Sequence, residues 1–278
     1  KAPRLNMSKG GDLNALIASF TKDLNVYRAK AAAFAPTTVA LTCNVSGSGS
    51  GTYDSATGDI TATYVKCINT DIATNITEYQ DGAVSISFSS TNFSFKFTNY
   101  TDRKTRATDG LLLSENIANV TMTGTSSGAS LSCGTKTLQN TFSLTMDGTI
   151  SNKEDTNSDG TLDVDTSAQI TSFSQTVLVN ALDNTCNPTD STITMSGGIS
   201  VTNNIQTNDS VSINIAAANP LTITAKTVTG GENITTSGTA TVTSSCFNGS
   251  LTIATPTPVF YPTGSESPTS GKIVITGD

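Results

Sequence analysis

The chain contains no histidine and no tryptophan. Without histidine there is no Ser-His-Asp or Cys-His catalytic machine. His-ligated zinc and His-ligated haem are excluded for the same reason. A polysaccharide-cleaving enzyme built on paired carboxylates needs no histidine, so that chemistry survives the filter. Sugar-cleaving clefts also use aromatic platforms, and here aromatics are 6% of residues and sit mostly in strand-like alternation.

Charge is scarce as well. Charged residues make up 13% of the chain, against about a quarter in ordinary soluble domains. The balance is acidic, with a net charge of −7 and a pI near 4.5. Such a chain lacks the electrostatic footprint of a nucleic-acid partner. Its one basic cluster, Arg103, Lys104 and Arg106, lies between Asp102 and Asp109 and reads as an exposed loop. No apolar run approaches the ~20 residues of a membrane-spanning helix. None of the five cysteines falls in a CxxC, so zinc-finger and iron–sulfur spacings are missing. Gly47–Gly51 lacks the Gly-Lys-Ser/Thr ending of a phosphate cradle and reads as a flexible turn or bulge.

Ser, Thr, Asn and Gly take the place of the missing charge. Hydrophobic residues are 36% of the total and well spread, enough for a core if alternation gathers them on shared faces. One segment has helical period. Leu13, Leu16, Ile17, Phe20, Leu24, Tyr27, Ala31 and Phe34 recur at steps of three and four, which predicts an amphipathic helix over 12–34. Asp12 is its N-cap, and Pro36 stops it. The helix packs on a sheet or docks on a neighbouring subunit.

Beyond Pro36 the period becomes two. Val84, Ile86 and Phe88 alternate with polar residues, and so do Phe93, Phe95 and Phe97. The parity flips across Ser89–Asn92, as a tight hairpin requires. Further runs are Phe142–Leu144–Met146, Ile193–Met195–Ile199–Val201, Val211–Ile213–Ile215, Leu221–Ile223 and Ile273–Ile275. Turn signals at Thr57–Gly58–Asp59, Asp109–Gly110 and Gly230–Gly231 separate strands. The expected fold is all-β with one N-terminal helix, an antiparallel β-sandwich or jelly roll. A β-solenoid is the alternative, against which stands the lack of any repeat of fixed period. The expected organisation is an N-terminal segment 1–36, a β region 37–128 and a β region 129–278. The last two form one continuous domain in the alternative reading.

The cysteines are placed like staples. The midpoint of Cys43 and Cys67 falls in the turn Asp54–Asp59, and that of Cys133 and Cys186 in a Gly/Asp/Asn-rich loop near Asp159. Strands meeting at those turns would bring each pair opposite, so the bonds Cys43–Cys67 and Cys133–Cys186 are expected. They place the protein in an oxidising compartment, and Cys246 is left over. Lys1 in place of Met suits a chain exported through a cleaved signal.

One motif is sharp. Asp155, Asn157, Asp159, Gly160, Thr161, Asp163 and Asp165 alternate oxygen donors around a turn glycine. This stretch resembles the calcium loops of EF-hand, dockerin and thrombospondin type 3 proteins. The resemblance implies ligation by Asp155, Asn157, Asp159 and Asp163, with Thr161 supplying its carbonyl. Thr166 stands where such loops place a bidentate Glu, and Asp165 substitutes one residue early. A structural calcium ion is the expected cofactor. Asn6, Asn44, Asn75, Asn92, Asn99, Asn119, Asn208, Asn233 and Asn248 open N-x-S/T sequons, each a glycan acceptor only where the machinery exists.

Together these features point to an extracellular, cell-surface structural or adhesive protein, a self-assembling subunit of a filament or layer, and not an enzyme. Self-association is expected through residues 1–11, the strand Lys272–Thr276, or open sheet edges. A carbohydrate-binding surface module, with glycans as partners, is the first alternative. A His-independent polysaccharide-degrading enzyme is the second.

Overall fold

Alternation of Thr and Ser with apolar or small residues makes extended backbone the favoured state along most of the chain, because each strand can then bury one face. The computed structural model describes residues 37–54, 56–89, 91–205 and 209–277. The helix expected over 12–34 and the segment 1–11 lie outside the described residues.

Among the described residues, fourteen strands follow in chain order. The first seven are β1 (Thr37–Leu41), β2 (Ser46–Tyr53), β3 (Ile60–Asp71), β4 (Ile76–Phe88), β5 (Asn92–Arg106), β6 (Leu112–Cys133) and β7 (Lys136–Glu154). Then come β8 (Val164–Leu182), β9 (Pro188–Asn203), β10 (Asp209–Ile215), β11 (Leu221–Val228), β12 (Gly231–Ser244), β13 (Asn248–Pro262) and β14 (Ser270–Gly277). The described residues contain no helix.

All fourteen strands join in one antiparallel sheet, and neighbours in sequence lie beside each other in space except for β10 and β11. The all-β antiparallel expectation holds in that form. β10 and β11 share one position: β10 pairs with Gly197–Asn203 of β9, and β11 with Asp190–Met195. Among the described residues the sheet thus has 13 strand positions, edged by β1 and β14. β6 runs from Leu112 to Cys133, so the regions 37–128 and 129–278 meet inside a strand and belong to one sheet.

The two faces differ sharply. Val84, Phe97, Val120, Gly148, Ile170, Ile199, Ile213 and Val242 are successive cross-strand partners from β4 to β12. A second row on the same face, apolar except for the buried Gln175, runs Phe88, Phe93, Gly124, Leu144, Gln175, Met195 and Leu221. The opposite face carries Asn92, Thr125, Ser143, Thr176, Thr194, Thr222 and Ser237 in one row. Hydroxyls there pair across strands, as in Thr123 with Thr145 at 2.6 Å and Ser143 with Thr176 at 3.3 Å.

The apolar face holds the core. Phe93 and Phe142 stack with ring centroids 5.7 Å apart, and Phe95 meets Phe93 edge-on at the same distance. Val120, Ile170, Val177, Ile193 and Leu221 are buried around them. Toward the sheet's margins the same face opens to solvent, at Tyr53, Ile60, Ile150, Val201, Ile273 and Ile275.

An Asp-Gly pair inside a strand is used twice to shape the sheet. Asp81 of β4 accepts the backbone N–H of Lys66, a bulge residue with φ 46°, at 3.1 Å. Asp147 of β7 does the same for Ser172, also at φ 46°, at 2.7 Å. Each carboxylate satisfies a donor that the bulge removes from the ladder.

Candidate functional site

The alternating connections gather the loops at two ends. The turns β1–β2, β3–β4, β5–β6, β7–β8, β9–β10 and β12–β13 share one end, the turns β2–β3, β4–β5, β6–β7, β8–β9, β11–β12 and β13–β14 share the other, and the β10–β11 connection lies midway along β9. The loop singled out by its carboxylates, 155–163, is the β7–β8 tip at the first end.

Asp155 anchors that tip. Its backbone N–H donates to Leu113 O at 3.1 Å, and the residue is 4% exposed. Its carboxylate accepts N–H groups from Asp159 at 3.2 Å and Gly160 at 2.8 Å. Asn157 Oδ1 also accepts from the Asp159 N–H, at 3.0 Å, and Asp159 Oδ1 from Thr161 N–H at 2.7 Å. Asp163 Oδ2 accepts the Thr156 hydroxyl at 2.6 Å and the Thr156 N–H at 2.9 Å. The Thr156 hydroxyl, then its N–H, hold the Asp163 carboxyl below the ordinary carboxylate range. Asp165 turns away and accepts Asn204 Nδ2 at 2.8 Å. Ser158 at φ 59° and Gly160 at φ 92° make the sharp turn that this pattern needs.

The oxygen chemistry of these residues suits a hard cation. Their arrangement here is that of carboxylates capping their own loop, and no group of three or more acidic, Cys or His side chains converges as a metal cage among the described residues. A cation already serves the tip: Arg106 Nη2 donates to Ser158 O at 3.0 Å, while its Nη1 meets Asp109 at 2.9 Å. Arg103, Lys104 and Arg106 therefore belong to β5, not to the exposed loop their charge suggests. Lys104 pairs with Glu78 at 3.1 Å, and Arg103 lies 4.0 Å from Glu115 and over the Tyr79 ring. Strand alternation and acidic cross-strand neighbours account for them.

Next to the tip the apolar face ends in a polar row, Asp102, Asn116 and Asn152. Asp102 Oδ1 and Asn152 Oδ1 are buried without a hydrogen-bond partner. Burial pushes the Asp102 carboxyl up; Lys104 opposes this and Glu78 adds to it. No local sequence signal marks this row, because the three residues meet only through register.

Both expected disulfides are present. Cys43–Cys67 and Cys133–Cys186 have Cα separations of 5.3 and 5.5 Å. The second links the β6–β7 and β8–β9 turns and so brackets the open end of the β7–β8 hairpin. Cys246 is an exposed free thiol in the β12–β13 turn. Of the sequons, Asn44 has its side-chain amide committed to Thr70, at 2.9 Å to the carbonyl and 2.8 Å from the N–H.

Two shallow depressions lie on the sheet. One of about 210 Å³ is lined by Ile117, Ile150, Ala168, Gln169 and neighbouring Ser and Thr residues. The other, of about 450 Å³, is lined by Phe88, Phe93, Asn92, Gly124 and Ser and Thr residues. Neither lining includes an ionisable side chain.

The strand Lys272–Thr276 lies in β14 and pairs with β13 of its own chain; the outer edge of β14 has no partner among the described residues. Two intrachain disulfides fit an extracellular protein. No helix among the described residues is long and apolar enough to cross a membrane. No protein-family model, no curated protein and no solved structure matches this chain.

Proposed function

We propose that this protein is an extracellular structural or adhesive subunit that associates with copies of itself through the edges of its sheet. The observation that carries this reading is β14. It is an edge strand whose Ile273 and Ile275 are 54% and 62% exposed, on the face that holds the core. An added strand would satisfy the bare N–H and C=O groups and bury both isoleucines. β14 has one charge, Lys272, to discourage such pairing.

The topology restricts the junction. Twelve antiparallel steps separate the 13 positions from β1 to β14, an even number, so the two edges run in the same direction. Two β14 strands related by a two-fold axis meet antiparallel, whereas β14 on a translated β1 meets parallel. Antiparallel pairing is the more stable per residue. The favoured unit is therefore a dimer joined through β14, from which further growth uses β1.

The carbohydrate-binding alternative is less well supported, because Phe88, Phe93, Phe95 and Phe142 pack on one another instead of forming an open platform. The β7–β8 tip is proposed as a calcium loop on its alternating donors alone, with the ion in a structural role.

Electron microscopy and light scattering of the intact chain, beside the variant Ile273→Lys/Ile275→Lys, test the edge reading. Dimers or fibres are expected from the parent and monomers with unchanged β circular dichroism from the variant. A parent that stays monomeric at high concentration overturns it.

A further inference from the structure

We infer that two copies join their β14 strands in one register, with the two-fold axis at Val274 and each Ile273 set against the partner's Ile275. This rests on the edge association proposed above and names the residues that make it specific.

Antiparallel geometry limits the choices. Along β14, alternate residues turn their N–H and C=O groups toward β13 or toward the open edge. Opposed residues in an antiparallel pair share that orientation and the same sheet face. A residue must therefore face one of its own parity in the copy. The two-fold axis then falls at a residue and not between two. It stands normal to the sheet, so the apolar faces of both copies lie on the same side.

Strand length narrows the choice further. β14 spans Ser270–Gly277. An axis at Ile273 pairs residues 270–276 with their copy, and an axis at Val274 pairs residues 271–277. Any other axis shortens the ladder.

Packing separates these two. Ile273 and Ile275 lie on the core face, 54% and 62% exposed, while Lys272, Val274 and Thr276 lie on the other. With the axis at Val274, both isoleucines of each copy meet an isoleucine. Val274 meets its own copy, Lys272 meets Thr276, and Gly271 meets Gly277 at the margins. With the axis at Ile273, each Ile275 faces Gly271, and Lys272 faces Val274. Cross-strand pairs of β-branched side chains stabilise a ladder, whereas a glycine offers nothing to pack on. Ile275 is also the cross-strand partner of Ile253 in β13, so the isoleucine cluster at the junction continues an apolar row of the monomer.

The test uses full-length chains with Cys246→Ser and single cysteines on the opposite face, which leaves both isoleucines in place. Under copper-catalysed air oxidation, Val274→Cys should form covalent dimers several times faster than Lys272→Cys or Thr276→Cys alone. A mixture of Lys272→Cys and Thr276→Cys chains, one of them isotope-heavy, should crosslink heavy to light. Preferred joining of Lys272→Cys to Val274→Cys would place the axis at Ile273 and overturn the inference. Equal rates at all three positions, the mark of random collision, would overturn it as well. Light scattering before oxidation separates this failure from that of the edge reading. Dimers in another register leave the reading standing, whereas monomers at every concentration remove both. Circular dichroism identifies a variant that fails to fold, and the mixture decides the register without Val274→Cys.

Discussion

The ring of Phe93 lies directly over Gly124, its cross-strand partner, so closely that a Cβ at Gly124 would overlap Cε1, Cζ and Cδ1 of that ring. Glycine is required there by contact, since its φ is not in the left-handed region. Gly124→Ala is expected to cost about 1–3 kcal/mol through overpacking. Urea unfolding measures it. Combining the change with Phe93→Leu should restore part of the loss, and strict additivity of the two would show that the contact does not matter.

The disulfides close loops of 24 and 53 residues. In the chain-entropy argument such closures are worth roughly 3–4 kcal/mol each. Cys133→Ser/Cys186→Ser should therefore lower the urea midpoint more than Cys43→Ser/Cys67→Ser, with the β7–β8 hairpin exchanging amide protons fastest. Equal stability of parent and both variants would remove the stapling role.

Asp102 provides a pH test. Burial raises its carboxyl above the ordinary 3.8, so in the folded state the ionised form is disfavoured. Its contribution to stability improves as pH falls through the folded value toward 3.8, and the penalty is fully present at neutral pH. Asp102→Asn should then raise the thermal midpoint at pH 7, and the gain should shrink in acid. A variant less stable at pH 7 would mean that the carboxylate has a partner.

Calorimetry decides the β7–β8 tip. If it binds calcium, Asp159→Ala should weaken binding roughly tenfold or more, because each carboxylate supplies both charge and a fixed oxygen. Arg106→Ala should strengthen it, since a positive charge now lies against Ser158 O. Absence of calcium heat in the parent protein would leave the loop as a self-capped hairpin tip.

The Phe88–Phe93 hairpin was legible because both flanking runs alternate cleanly and the parity flips between them, and the structure pairs Phe88 with Phe93. Strands β6, β8 and β12 gave a weaker signal. Their apolar face accepts Gly124, Ala168 and Ala240, so size and not hydrophobicity marks the inward positions. Asp81–Gly82 and Asp147–Gly148 have the composition of turns yet sit within β4 and β7. What makes them strand residues is a bulge on the neighbouring strand, which no local pattern reveals.

The sequence by itself determined what is local or periodic: β class, strand alternation, the hairpin turns, and the cysteine pairs, whose symmetry about two turns follows from antiparallel register. It also determined, through the lack of histidine, which chemistries are closed to the chain. Tertiary structure alone decided the strand order, the joining of all strands in one sheet, the meeting of Asp102 with Asn152 across Asn116, and the exposed face of β14. Those depend on register between segments far apart in the chain. A shift of one residue would exchange every inward side chain for an outward one, so they are settled by burial of the shared face and not by any single strand.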